Sequence, residues 1–205
     1  MRALIFGDSQ TLHTGKELEA RLRALGHQVS RVSMSGKSTA DLLARARKEL
    51  PRRWDEVYLS TGGNDVPDMP GELAQLIFHF GPSGRIFLLP LPPATLAPSK
   101  PNPAYLFPKT AASRERKARL YTRVAKELGV EVIDYRHAPL SKKVRQPSGL
   151  LYPTQRDGFH TRGESAREMA AYVMERRAAS SGGAWWVAAA IGAALAIGVG
   201  LALSA

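Results

Sequence analysis

Ala3-Leu4-Ile5-Phe6-Gly7-Asp8-Ser9 is a run of apolar residues that empties into a glycine, an acid and a serine. A short apolar run closed by turn-forming residues predicts a buried strand followed by a tight turn. The same pattern recurs downstream. Residues 28–34 alternate, with Val29, Val32 and Met34 apolar, and lead into Ser35-Gly36. Residues 56–60 lead into Thr61-Gly62-Gly63-Asn64-Asp65. Residues 85–91 read as a buried strand ended by Pro90, Pro92 and Pro93, and residues 130–135 supply a fifth. Helical periods lie between the strands. Leu18, Leu22 and Leu25 place 16–25 on a helix that Gly26 stops. Ser38-Thr39-Ala40-Asp41 has the form of a capping box and predicts a helix through Leu50. Residues 111–128 form a helix stopped by Gly129. Thr161-Arg162-Gly163-Glu164 predicts a second capping box, opening a helix to about Arg177.

Strands alternating with helices define an α/β chain, with a parallel sheet covered on both faces. In such sheets ligands bind beyond the carboxyl ends of the strands. Gly7-Asp8-Ser9 and Gly62-Gly63-Asn64-Asp65 both fall there. A chain of 205 residues with 44% hydrophobic content builds one ordinary core and is too short for two full domains.

The expected organisation is a body over 1–178, a flexible linker over 179–183 and a hydrophobic helix over 184–203. The last segment has 20 residues without a charge, enough to span a bilayer. Trp185 and Trp186 stand at its start, where an interfacial aromatic belt would lie. Gly192, Ala196 and Gly200 recur at every fourth position, a small-residue face suited to self-association in a membrane. Arg162, Arg167, Arg176 and Arg177 precede the segment, so the positive-inside rule places the body on the cytoplasmic side of a C-terminal anchor. A place in a phage particle that delivers DNA through an envelope is the alternative. The first residues lack the long apolar core and small-residue cleavage site of an export signal, so a cleaved signal is not expected.

The formal net charge is +11. Much of it lies in two stretches. One holds Lys100, Lys109, Arg114, Arg116, Lys117, Arg119, Arg123 and Lys126; the other holds Arg136, Lys142, Lys143, Arg145 and Arg156. Such a field attracts polyanions, anionic lipid surfaces or acidic substrates; the plain alternative is a solvated basic face. No zinc finger, RNA-recognition signature or leucine zipper is present, so nucleic acid is not expected as the main partner. The chain has no cysteine, which excludes disulfides, thiolate metal sites and a cysteine nucleophile. The histidines and carboxylates show no convincing metal-ligand spacing, and no metal or cofactor is expected. A nucleotide-binding domain is disfavoured because no glycine-rich phosphate loop follows the first strand.

Attack by a serine hydroxyl needs a nearby neutral imidazole, a carboxylate to orient it, and donors for the oxyanion. Ser9 supplies a hydroxyl at a strand end. Asp157-Gly158-Phe159-His160 places an acid three residues before a histidine, so one turn can aim both at a point. Asn64 offers a neutral amide donor, and Gly36 a backbone N–H with no side chain in the way. His13 is close to Ser9 in sequence and is a candidate for the cleft wall. His27 and His79 read as structural, and Asp8 and Asp65 as caps of local backbone. The proline-rich stretch 91–114 is long for a loop in a compact domain, and reads as a lid or substrate wall.

In the chain order Gly7-Asp8-Ser9, Gly36, Gly62-Gly63-Asn64-Asp65 and Asp157-Gly158-Phe159-His160, the four segments resemble the SGNH/GDSL serine esterase-hydrolase superfamily over residues 3–173. The resemblance implies a flavodoxin-like, three-layer α/β/α sandwich around a parallel sheet. It implies Ser9 as nucleophile, His160 as base and Asp157 as its orienting acid. The oxyanion hole would comprise the Ser9 and Gly36 N–H groups and the Asn64 side chain. One departure is Gln10, where the name-giving pattern has leucine; it is expected to contact substrate or to face solvent. The implied activity is ester hydrolysis through an acyl-Ser9 intermediate. The leading expectation is an O-acetyl esterase acting on envelope or capsular carbohydrate. A lipid or thioester acyl hydrolase is the alternative. A further reading is a non-catalytic membrane-inserting or phage-particle component on an idle scaffold.

Overall fold

A computed structural model describes residues 1–92, 94, 108–145, 148–153, 155 and 157–180. The opening apolar run becomes β1 (Arg2–Asp8), an interior strand of the five-stranded sheet. The other parallel strands are β2 (Gln28–Met34), β3 (Glu56–Ser60), β4 (Arg85–Leu88) and β5 (Glu131–Val132), in the order β2-β1-β3-β4-β5. The helices are α1 (Thr14–Ala24), α2 (Thr39–Glu49), α3 (Pro70–Phe80), α4 (Pro108–Glu127) and α5 (Glu164–Ser180). A short antiparallel hairpin joins β6 (Lys143–Arg145) to β7 (Leu151–Pro153).

The layering follows from the two-residue period of a strand. On β1, Ala3 and Ile5 join the core shared with α1 and α5, through Leu18, Leu22, Met169 and Val173. Leu4 and Phe6 point the other way, into the core formed with α2, α3 and α4 through Leu42, Leu73, Phe80 and Tyr121. A strand buried on both faces must be apolar at every position, which is why 3–6 reads as an unbroken run.

Register brings the sequence motifs together. Gly7 pairs with Ser33 on one side and with Ser60 on the other. The chain therefore leaves β2, β1 and β3 at neighbouring points of one sheet edge, carrying Gly36, Ser9 and Asn64 respectively. Chain order reverses between β1 and its two neighbours, and such switch points are where open α/β sheets bind ligands. The opposite edge is fastened by charge. Buried Glu56 accepts from Arg177 Nε at 2.8 and 3.0 Å and from the Tyr58 hydroxyl at 2.8 Å, which ties β3 to the end of α5.

Several local expectations are revised. Helix α3 was not anticipated, although Leu73, Leu76, Ile77 and Phe80 have helical spacing and Pro70 begins it. Strand pairing in 85–91 stops at Leu88, ahead of Pro90. The 130–135 stretch pairs only at Glu131–Val132 before a 3-10 turn at Tyr135–His137. The Ser38 capping box forms in full with Asp41. The one expected at Thr161 does not: its hydroxyl is drawn to Thr14 of α1, 2.8 Å away, and Gly163 takes a left-handed conformation. Helix α5 runs on through Ser180, whose hydroxyl accepts from Arg85 at 2.6 Å, so the first two positions expected in the linker are helical. The long loop expected over 91–114 is shorter, because α4 already begins at Pro108. The rest of that stretch, apart from residues 91, 92 and 94, and the hydrophobic segment 184–203, with Gly192, Ala196 and Gly200, lie outside the described residues. Among the described residues no helix is long and apolar enough to cross a membrane.

Candidate active site

Ser9 begins the 3-10 turn Ser9–Thr11 directly after β1. Asp8, wholly buried, shapes that turn: one carboxylate oxygen accepts from Gln10 N–H at 2.9 Å and the other from Gly63 N–H at 2.8 Å. Burial pushes the Asp8 carboxyl above its ordinary range, against those two N–H bonds and the nearby Arg114 charge. One side chain thus links the serine turn to the glycine-asparagine turn after β3.

His160 is 151 positions away in sequence, yet its Nε2 lies 2.9 Å from Ser9 Oγ. Its Nδ1 lies 3.0 Å from Asp157 Oδ2. The other Asp157 oxygen accepts the N–H groups of Phe159 at 3.0 Å and His160 at 2.7 Å, so the turn that carries the histidine is folded around its own acid. Gly158 permits this turn by adopting φ +84°. Burial alone would raise the Asp157 pKa; the bonds from His160 and Phe159 outweigh it and hold the group at about 2. Arg162 adds a contact at 3.1 Å. Ser9 is 6% exposed, enough to meet a ligand from one side only. Half-buried His13 feels Arg162, His160 and Asp157 electrostatically; burial first, then Arg162 and His160, lower its pKa.

Gln10 does not face solvent. It is buried, and its side-chain N–H donates to the Phe159 carbonyl at 2.9 Å. The amide braces the His160 turn against the Ser9 turn. Asn64 Nδ2 donates to the Lys37 carbonyl at 3.1 Å, which joins the Asn64 turn to the Gly36-Lys37 segment. An amide has a second N–H to offer. Gly36 is exposed with φ +71° and open space around a hypothetical Cβ, so its glycine is required by backbone conformation alone.

The sequence reading assigned Arg114 and Lys117 to a basic stretch with either a polyanion or solvent as partner. Both are buried, at 4% and 5% exposure. With Tyr121 they occupy one face of α4 and reach the 62–65 turn. Arg114 lies 3.9 Å over the Phe159 ring and donates to the Pro92 carbonyl at 3.2 and 3.3 Å. The available signal was their spacing: positions 114, 117 and 121 share the helix face of buried Ala118 and Ala125. Asp65 is likewise internal, accepting from Thr39 N–H at 2.6 Å and from Tyr121. Among the described residues no group of three histidine, aspartate or glutamate side chains is placed to hold a metal ion.

A 2-1-3-4-5 parallel sheet covered by helices on both faces is the α/β fold of solved GDSL-like lipases. Solved structures share it. A GDSL-like lipase from Bacteroides thetaiotaomicron aligns with a TM-score of 0.61 at 17% identity, over 87% of this chain and 88% of its own. An acetyl xylan esterase aligns at 0.60 and 15% identity, over 86% and 99%. An alpha/beta hydrolase from the Lake Arreo metagenome aligns at 0.57 and 18% identity, over 85% and 93%. No family model matches the sequence, and no curated protein is similar to it.

Proposed function

We propose that this chain is a serine ester hydrolase working through an acyl-Ser9 intermediate. The observation that carries the proposal is the continuous relay Ser9 Oγ, His160 Nε2, His160 Nδ1, Asp157 Oδ2, with links of 2.9 and 3.0 Å. Such links lie within the reach that proton transfer requires. In the forward step Ser9 Oγ bonds to the ester carbonyl carbon while its proton passes to His160 Nε2. Asp157, ionised at neutral pH, holds the imidazole tautomer and offsets the positive charge that forms. The oxyanion is met by the Ser9 and Gly36 N–H groups and by Asn64. When the carbon–oxygen ester bond breaks, His160 returns the proton to the leaving alcohol. Water then attacks the acyl-Ser9 carbonyl by the same route in reverse, releasing the acid and restoring the hydroxyl. An intact relay argues against an idle scaffold.

The finer reading is an O-acetyl esterase acting on carbohydrate of an envelope or capsule. It is supported by the acetyl xylan esterase among the structures that share the fold, and by exposed arginines on α4. Arg116, Arg119 and Arg123 side chains are 69%, 55% and 70% exposed and complement an anionic polymer. A series of p-nitrophenyl esters tests it. The expected result is highest kcat/KM for acetate, falling at least about tenfold by the octanoate, all of it lost in Ser9→Ala. Activity that rises with chain length contradicts the acetyl assignment and points to lipid esters.

Residues 184–203 form a membrane anchor in this reading, on the grounds of uncharged length and the paired tryptophans. The full chain is expected to float with liposomes in a density gradient and to resist carbonate extraction. Complete recovery in the soluble fraction contradicts the anchor.

A further inference from the structure

We propose that Lys117 is a positioning residue for the oxyanion donor Asn64, acting as a clamp that reaches from α4 to both sides of the asparagine turn. Its ammonium donates to the Gly62 carbonyl at 3.0 Å and to the Asp65 carbonyl, and lies 3.6 Å from Asp68 Oδ1. The two carbonyls bracket Gly63-Asn64. Two of its N–H donors are taken by carbonyls of the turn, and the Asp68 carboxylate pairs with the charge.

The turn needs an external clamp. Gly62 and Gly63 have no side chains to restrict them, and Gly62 sits at φ +101°. A donor to a developing oxyanion, by contrast, must be held within about 0.5 Å of its productive position. Helix α4 supplies the missing restraint at successive points. Lys117 holds the flanking carbonyls. Arg114 Nη1 lies 3.4 Å from the Gly63 carbonyl. The Tyr121 hydroxyl donates to the Asp65 carboxylate and accepts from Met69 N–H at 2.9 Å. In front, Asn64 itself is tethered to Lys37. A space-filling role alone does not explain the ammonium. Burying a charge costs several kcal/mol before compensation, and burial lowers the Lys117 pKa. An apolar side chain would fill the same volume without that cost, but would leave the Gly62 carbonyl with only the Asp65 N–H at 3.3 Å and would take the ammonium away from the Asp65 carbonyl.

This inference rests on the reading of Asn64 as an oxyanion donor. Since the oxyanion exists only in the transition state and tetrahedral intermediate, loss of the clamp should appear in kcat and not in KM. The test is steady-state hydrolysis of p-nitrophenyl acetate by the wild-type chain, Asn64→Ala, Lys117→Met and the double variant, each with a thermal melt. Asn64→Ala is expected to lower kcat about a hundredfold. Lys117→Met is expected to lower it about tenfold, with KM changed less than about threefold. The double variant should fall no more than about twofold below Asn64→Ala, because the clamp acts through the asparagine. If Lys117→Met does not fold, Tyr121→Phe takes its place under the same criteria, since it removes one hydroxyl and keeps the ring packing. Losses that multiply in the double variant, or a kcat unchanged within twofold, overturn the clamp and leave the hydrolase reading standing. Absence of Ser9-dependent turnover in the wild-type chain overturns the hydrolase reading and the clamp with it.

Discussion

His160→Ala is expected to lower ester turnover by a factor on the order of 10⁴ to 10⁶ while the protein remains folded. The size follows from the position of the imidazole. Its two nitrogens join Ser9 to Asp157 at 2.9 and 3.0 Å, so its loss leaves the serine hydroxyl without a base. Removing the imidazole strips no stabilising network from the core, because its ring is held at the rim between Ser9, Asp157 and the Phe159 edge. Asp157→Asn is expected to be milder in rate, about 10² to 10⁴-fold, because nucleophile, base and oxyanion donors all remain. Its pH signature is distinctive. The folded-state pKa of about 2 lies below the ordinary 3.8. The carboxylate therefore contributes stability that is fully present above roughly pH 5 and is lost as the pH falls towards 2. Melting curves of wild type and Asp157→Asn should differ at pH 7 and converge near pH 2. Since Asp157 stays ionised down to about pH 2, an acid limb of the rate profile above pH 4 reports a different group.

Gly7→Ala produces the second large effect, this time on the fold itself. A Cβ at position 7 would stand 2.0 Å from the Ser60 carbonyl oxygen and 2.6 Å from Thr11 Cγ2. The carbonyl is backbone of β3, in register with Gly7 across the sheet, and cannot swing aside as a side-chain end would. Relief requires β1 and β3 to separate or the Ser9 turn to shift. A loss of roughly 3 kcal/mol or more is expected. For a domain of this size that lowers Tm by about 10 °C. Turnover should fall as well, because the displaced strand end carries the serine. A variant that melts within 2 °C of wild type would contradict the packing at this point. The glycine of the Gly-Asp-Ser motif is thus demanded by close approach of two strands.

What was legible in the chain was whatever its residues encode locally. Strands 28–34 and 56–60 match the structure at both ends, because apolar alternation stops at polar, turn-forming residues. The Ser9, Asn64 and Asp157-His160 segments were legible for a related reason. Each is a short motif at a strand end or before a helix, and the 2-1-3-4-5 order brings strand ends to one edge. Helix α3 is legible in its Leu73, Leu76, Ile77 and Phe80 period. Other features were hidden by physics. Arg114 and Lys117 carry charge that a sequence assigns to solvent, and their acceptors lie about 50 positions upstream in a loop. Gln10 has a free amide in sequence and a partner 149 positions away in space. Thr161 has the form of a cap, yet an α1 hydroxyl takes it. In each case the deciding partner is nonlocal, and only packing reveals it.

An activated Ser9 nucleophile distinguishes a working hydrolase from an idle scaffold. The most direct measurement treats the full chain with a fluorophosphonate probe and maps the adduct by mass spectrometry. His160→Ala and Ser9→Ala run as controls. The relay predicts one stoichiometric adduct on Ser9, slowed by at least about a thousandfold in His160→Ala and absent in Ser9→Ala. A folded wild-type chain that takes up no probe at Ser9, or labels equally fast without His160, contradicts it.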